Sequence, residues 1–273
     1  MSNPLHSLPL PANNLALRST SVTLLDQMPS IGLDEMKAVR FMDRIDHKYM
    51  ASVSRLEELL LRIKDGYSVQ RIDGGDPVAP YRTLYFDTPD LAMYFMHHNG
   101  KGYRRKVRVR TYRSTGTTFF EVKHRYNNKK THKVRIPIDS SQFYSCEALS
   151  EVRQFLERQS PFTFESLQPC LENSFSRITL VDHGMRERVT IDSGITFRNH
   201  ATQCQAEISH LLVIEVKHSA VAPPSDIERA LHDMHILPRR MSKYCIGTAL
   251  TNSTVRHNRF KPKLMYIKKI TNI

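Results

Sequence analysis

The sequence predicts an α+β fold: an antiparallel sheet curled into a barrel-like tunnel, with helices packed on its outside. Three observations lead there. Several short segments alternate strictly between charged and apolar residues, the period of a strand with one polar and one apolar face. No βαβ rhythm and no glycine-rich phosphate loop interrupts them, which excludes a parallel nucleotide-binding sheet at motif level. A few segments with helical spacing stand between the strands and supply apolar faces to cover the sheet.

Taken in order, residues 1–33 are rich in Pro, Asn, Ser and Leu without periodicity and read as a mobile leader in which one short helix is an option. Residues 34–248 read as one compact domain. Within it Ser52–Ile63 is helical, with Leu56, Leu59, Leu60 and Ile63 on one face. Strands follow at Tyr81–Asp87, Lys106–Tyr112, Phe119–His124 and His132–Ile138, the last two joined by a hairpin turn at Asn127-Asn128. A helix fits around Ala148–Arg158. Further strands fit at Ser176–Val181, Glu187–Asp192 and Leu212–His218, then a helix at Ser225–Met234 and a short strand near Lys243. Residues 249–273 carry Arg256, Arg259, Lys261, Lys263, Lys268 and Lys269 and read as a basic, solvated tail, with Pro262 arguing against a continuous helix.

The 273 residues include 40 Lys and Arg against 27 Asp and Glu, a formal charge of +13 that calls for a polyanionic partner. No run approaches the ~18 apolar residues of a membrane-spanning helix, and the N-terminus lacks the pattern of a secretory signal. The four cysteines (Cys146, Cys170, Cys204, Cys245) form no C-x-x-C pair and read as mostly buried thiols of a cytoplasmic protein. His97-His98 reads as loop surface rather than a metal site.

Strand parity places the charge. Lys106, Arg108 and Arg110 share one face, opposite Val107 and Val109. The same holds for Glu121 and Lys123, for Lys133 and Arg135, for Arg186, Arg188 and Asp192, and for Glu215 and Lys217. An ordinary half-solvated sheet would explain the alternation. The dominance of Arg and Lys on the polar face favours a curled sheet whose lumen binds phosphate chains, because Arg grips phosphate bidentately and Lys adds compact charge. Acids in such a lumen could bind Mg²⁺ or Mn²⁺ bridging phosphate oxygens. Nucleic acid is disfavoured: Tyr103, Tyr112 and Tyr126 lie near basic residues, but tryptophan is absent and apolar residues fill the alternate positions.

At these residues the chain resembles the VTC domain of polyphosphate polymerases, in the triphosphate tunnel (CYTH-like) superfamily. The segments in common are Asp46-His47-Lys48-Tyr49, Leu84-Tyr85-Phe86-Asp87-Thr88, Lys106-Val107-Arg108-Val109-Arg110, Phe120-Glu121-Val122-Lys123 and Lys133-Val134-Arg135. Phe175-Ser176-Arg177, Arg188-Val189-Thr190-Ile191-Asp192, Ile214-Glu215-Val216-Lys217 and Ser242-Lys243-Tyr244 complete the set. The resemblance implies transfer of the ATP γ-phosphate onto a growing polyphosphate chain with Mn²⁺ or Mg²⁺. Hydrolysis of tripolyphosphate or nucleoside triphosphate, or a non-catalytic polyphosphate sensor, are the alternatives. It assigns catalytic positions to Arg108, Arg110, Lys123 and Lys217. Phosphate binding falls to Lys48, Lys106, Lys133, Arg135, Arg177, Arg188, Ser242 and Lys243. Glu215 is the principal metal ligand, and Glu121 is a second ligand or an ion-pair partner. The E-x-E-x-K signature of other superfamily members is absent, and Asp46-x-Lys48 stands in its place. Phe175 replaces a tyrosine found in some members. Eukaryotic relatives push product through a membrane; with no membrane segment after this domain, the resemblance implies a soluble product or a membrane-protein partner.

Overall fold

The computed structural model describes residues 19–36, 44–72, 75–127, 131–219 and 224–271. Their elements run α1 (Ser19–Gln27), β1 (Ser30–Ile31), α2 (Leu33–Met36), β2 (Arg44–Ser52), α3 (Leu56–Ile63), β3 (Tyr67–Gln70), β4 (Val78–Asp87) and α4 (Ala92–His98). Next come β5 (Arg104–Tyr112), β6 (Thr117–Arg125), β7 (Thr131–Ile138), α5 (Ser150–Gln159), β8 (Gln168–Asp182), β9 (Glu187–Asn199), β10 (Gln205–Ile208) and β11 (Leu211–Ser219). The chain ends with α6 (Asp226–Asp233), α7 (Lys243–Thr251) and α8 (Lys261–Thr271).

The main sheet has the order β2-β11-β9-β8-β4-β5-β6-β7, antiparallel throughout, with β3 and β10 on its flanks. No ladder joins β2 to β7 among the described residues, so the sheet curls without closing into a barrel. Its convex face carries two apolar cores. On one half, Ile178, Leu180, Val189, Ile191, Ile214 and Val216 pack under α1, α3 and α6. On the other, Val107, Val109, Phe120 and Val122 pack under α5. The stripe Leu56, Leu59, Leu60 and Ile63 is fully engaged. α6 begins with a capping box of Ser225 and Glu228, each side chain accepting the other's backbone N–H.

A third core covers one end of the concave face. There Met50, Tyr85, Leu171, Phe175, Phe197 and Val213 meet Tyr94 of α4, Tyr244, Cys245 and Ile246 of α7, and Ile267 of α8. Gly247 permits the contact: a Cβ at this position would lie 2.4 Å from Phe197 and 2.7 Å from Leu171. The buried Asp87 carboxylate ties this end together, accepting from the Met93 and Tyr94 N–H groups at the start of α4 and from the Tyr244 hydroxyl at 2.5 Å.

Four expectations are corrected. The stretch near Lys243 is a helix, not a strand: Ser242 caps it, and burial on nearly every side removes the amphipathic period that would announce it. The basic tail is not a solvated extension, because Phe260 and Ile267 are buried and α8 is continuous. Pro262 sits in its first turn, where a missing N–H costs nothing. Of the leader, residues 1–18 lie outside the described residues; its short helix is α1, which is docked rather than mobile and buries Leu24 and Leu25 in the first core. His97 and His98 end α4; His98 is buried and bonded to Asn99 and Asn258. Asn128 of the expected turn lies outside the described residues, though β6 and β7 pair on either side of it. Cys146, Cys170 and Cys245 are buried thiols and Cys204 is exposed.

Candidate active site

Pairing registers decide which side chains share the concave face. Lys48 lies opposite Glu215 and Asp46 opposite Lys217. Lys217 in turn faces Arg188, and Asp192 faces Arg177. Across the other half, Tyr85 faces Arg108, Arg108 faces Glu121 and Glu121 faces Arg135, while Lys106, Lys123 and Lys133 form the adjacent row. Lys243 joins from the first turn of α7. All eleven cations expected to bind phosphate therefore lie on or against one surface, with Asp46, Glu121, Asp192 and Glu215 interleaved among them.

Curvature brings the two halves together. In a flat sheet, Lys48 on β2 and Lys123 on β6 would be separated by six strand spacings, about 29 Å, beyond a Debye length of ~8 Å at physiological salt. Instead, Lys48 and Glu215 both act on the Lys123 ammonium. The start of α7 spans the same concavity. Ser242 Oγ accepts from Lys106 Nζ on β5 at 3.1 Å, and the neighbouring Lys243 ammonium reaches Asp192 on β9.

Three acids anchor most of the cations. Glu215 is held between the Lys48 and Lys217 ammoniums. Glu121 receives Arg108 Nε at 2.8 Å and Lys133 Nζ at 3.2 Å. Asp192 takes a bidentate grip from Arg177, at 2.5 and 2.8 Å, as well as Lys243. Aromatic rings floor the site: Tyr81 and Phe175 stack at 5.2 Å, with Arg177 4.8 Å above Tyr81 and Lys243 4.1 Å above Phe175. Arg110, buried, donates to Thr83 Oγ1 at 3.1 Å. Arg135 is exposed and stacks over Phe119 at 4.0 Å, at the rim rather than the centre.

The electrostatics reflect too many cations for the acids present. Burial, followed by Lys106 and Arg108, pushes the Lys123 ammonium down to about 7. Burial is also the first cause that lowers Lys106, Lys217 and Lys243 to about 8. The acids show the reverse balance. Burial pushes Glu121 up, but Arg108, Arg110 and Lys133 outweigh it and hold the carboxyl at about 2. Glu215 is likewise held well below the usual range, burial being overcome by Lys217 and Lys48. Such a surface is unsatisfied until an anion enters.

A match of the VTC domain family model over residues 43–252 spans more than three quarters of the chain and the whole of this surface. The chain belongs to the VTC domain family. No curated protein matches it by sequence. Among solved structures, it is similar to a candidate adenylate cyclase from Bacillus halodurans, at 12% identity and a TM-score of 0.48, covering 73% of this chain and 94% of that one. It is also similar to a candidate adenylyl cyclase from Hippeastrum, described as having a dominant triphosphatase activity. There the identity is 11%, the coverage 80% and 100%, and the TM-score 0.44. An RNA triphosphatase from S. pombe is similar at 8% identity, covering 93% of this chain and 94% of that one, with a TM-score of 0.29.

In this VTC domain, sequence parity found the cations but not their partners. Asp192 was legible as sharing a face with Arg188, yet nothing in the sequence joins it to Arg177 or Lys243. The floor of Tyr81, Thr83 and Phe175 gives no sequence signal, since apolar and hydroxyl residues in a strand usually mean core. The tyrosines weighed for nucleic acid split into two groups. Tyr112 packs 5.0 Å from Tyr81. Tyr103 and Tyr126 line a separate rim cavity of about 320 Å³ with Arg105 and Arg158. No helix among the described residues is long and apolar enough to cross a membrane.

Proposed function

We propose that this VTC domain is a metal-dependent phosphotransferase that moves the ATP γ-phosphate onto a polyphosphate chain held along the concave face. The observation that carries the reading is the surplus of buried and half-buried cations, four of them lysines whose ammoniums are pushed down to about 7 or 8. A buried cationic face of this kind is completed by a polyanion, and a phosphate chain matches its extended shape and its mixture of Arg forks and Lys point charges.

Phosphoryl transfer needs positioning and charge stabilisation more than covalent chemistry from the protein. Arg108, Arg110, Lys123 and Lys217 would offset repulsion between the donor and acceptor phosphates and stabilise charge on the transferred group. Lys48, Lys106, Lys133, Arg177, Arg188, Ser242 and Lys243 would hold the flanking phosphates, and Arg135 would meet them at the rim. All three carboxylates are paired with cations, and accessibility separates them: Glu215 keeps 17% of its side-chain surface exposed, against 0% for Glu121 and 4% for Asp192. Glu215 is a hard, ionised oxygen donor and fits a Mg²⁺ or Mn²⁺ that draws the rest of its shell from phosphate and water. Bound there, the ion would supply Lewis-acid polarisation of phosphoryl oxygens. Glu121 would act as the fixed counter-charge of Arg108.

The test is incubation of the purified protein with ATP and Mn²⁺, with products sized on a gel. Long, phosphatase-sensitive chains support the polymerase reading. Free phosphate without chains would make the protein a hydrolase, and tight triphosphate binding without turnover would make it a sensor.

A further inference from the structure

On the convex side of the sheet, away from the phosphate surface, two histidines and a glutamate converge from three elements. His47 stands on β2, His218 on β11 and Glu228 on α6, with one ligand atom from each lying within 4.8 Å of the others. We propose that His47, His218 and Glu228 form a binding site for a zinc-class transition-metal ion that pins α6 to the edge strand β2.

The hydrogen bonds around His218 carry the argument. Its Nδ1–H donates to the Ser219 carbonyl at 2.8 Å, which leaves Nε2 as the ring nitrogen turned into the cluster. That backbone bond is the arrangement that orients a metal-ligating imidazole and fixes its tautomer. Nε2 points into the cluster, 3.4 Å from Glu228 Oε2, yet it makes no hydrogen bond although the residue is only 5% exposed. A buried imidazole nitrogen and a carboxylate oxygen at this separation need a shared cation, and a metal ion that also reaches His47 would engage all three side chains at once. His47 Nδ1 lies 2.6 Å from Glu228 Oε1, on the same carboxylate. Directly across the ladder from His218 stands Glu187, buried, with Oε2 also lacking a hydrogen bond.

Two imidazole nitrogens with one carboxylate form a donor set for zinc rather than for Mg²⁺ or Ca²⁺, which prefer all-oxygen shells. A tetrahedral ion with bonds of about 2.1 Å places its ligand atoms about 3.4 Å apart, so the cluster needs only small side-chain adjustments. Water would take the fourth position, which His47, with 41% of its side chain exposed, leaves reachable from solvent. Glu228 is oriented independently of any metal, by the Tyr49 hydroxyl and the Ser225 N–H. The site is independent of what the concave face binds.

The experiment is titration of the metal-stripped full chain with Zn²⁺ against a chelating dye, and with Co²⁺ followed by visible absorption. One equivalent of zinc should bind, cobalt should give the intense bands of a tetrahedral site, and thermal unfolding should move to higher temperature. His47→Gln and Glu228→Gln should each weaken zinc at least about 10-fold and abolish the cobalt bands, while Glu215→Gln on the other face leaves both unchanged. His47 is half exposed, so its variant tests binding without risking the core. The proposal is overturned if no zinc binds tightly, if both outer-face variants bind like the parent, or if only Glu215→Gln removes the signal.

Discussion

Filling the concave face with phosphate should draw protons out of solution, and the size of that uptake follows from its lysines. Lys123 is depressed to about 7, and Lys106, Lys217 and Lys243 to about 8. At pH 8 the first is about nine-tenths deprotonated and the other three about half, so the empty site lacks about two of its four protons relative to an unperturbed lysine near 10.4. A bound phosphate chain restores the ordinary preference for the ammonium form, so binding should take up about two protons at pH 8, whereas at pH 6 the lysines take up close to none and a half-protonated terminal phosphate releases up to about half a proton. ATP without metal is a suitable ligand, since a terminal phosphate that titrates near pH ~6 is already ionised at pH 8. Calorimetry in two buffers of different ionisation enthalpy reads the number directly. Uptake below about half a proton at both pH values would refute the argument. Stability carries the same sign. Because folding lowers these lysine pKa values, the unfolded chain holds more protons between about pH 7 and 10. These groups should therefore make the ligand-free protein more stable as pH rises through that window, and charged phosphate should flatten the dependence.

Three substitutions probe other parts of the account. Glu215→Gln should abolish metal-dependent turnover while strengthening metal-free ATP binding, since it removes an anion from between Lys48 and Lys217; kinetics and calorimetry on the same preparation separate the two effects. Arg177→Ala leaves the buried Asp192 carboxylate with Lys243 alone and should cost about 3–5 kcal/mol in denaturant unfolding. Gly247→Ala forces a methyl group against Phe197 and Leu171 and should cost about 1–3 kcal/mol, read as a lowered unfolding midpoint with the phosphate surface intact.

How much of this was legible beforehand depended on where each residue's partners lie along the chain. The alternation at Lys106–Arg110 or Glu215–Lys217 is a local property, so the strands and their charged face could be read from periodicity alone. Helix α3 announced itself by Leu56, Leu59, Leu60 and Ile63, and α6 by its helical spacing over Ser225–Met234. Helix α7 did not, because it is wrapped by protein and shows no polar face; α8 was hidden behind its lysines, whose stems can lie along apolar surface while their heads stay in water. The ion pairs were out of reach for another reason. Lys48 meets Glu215 across 167 positions and Lys243 meets Asp192 across 51. Such pairs depend on strand order and register, which alternation does not specify.

No strand ladder joins β2 to β7 among the described residues. What lies along the β2 edge instead is a short loop: Tyr49 bridges to Pro238, and the Lys48 carbonyl accepts from the Arg239 N–H. A sheet closed by ladders on every side has a girth fixed by its strand number and stagger. Here the distance between the β2 and β7 edges is set by sheet curvature and by that loop, so the groove can change width without breaking a ladder hydrogen bond between those two strands.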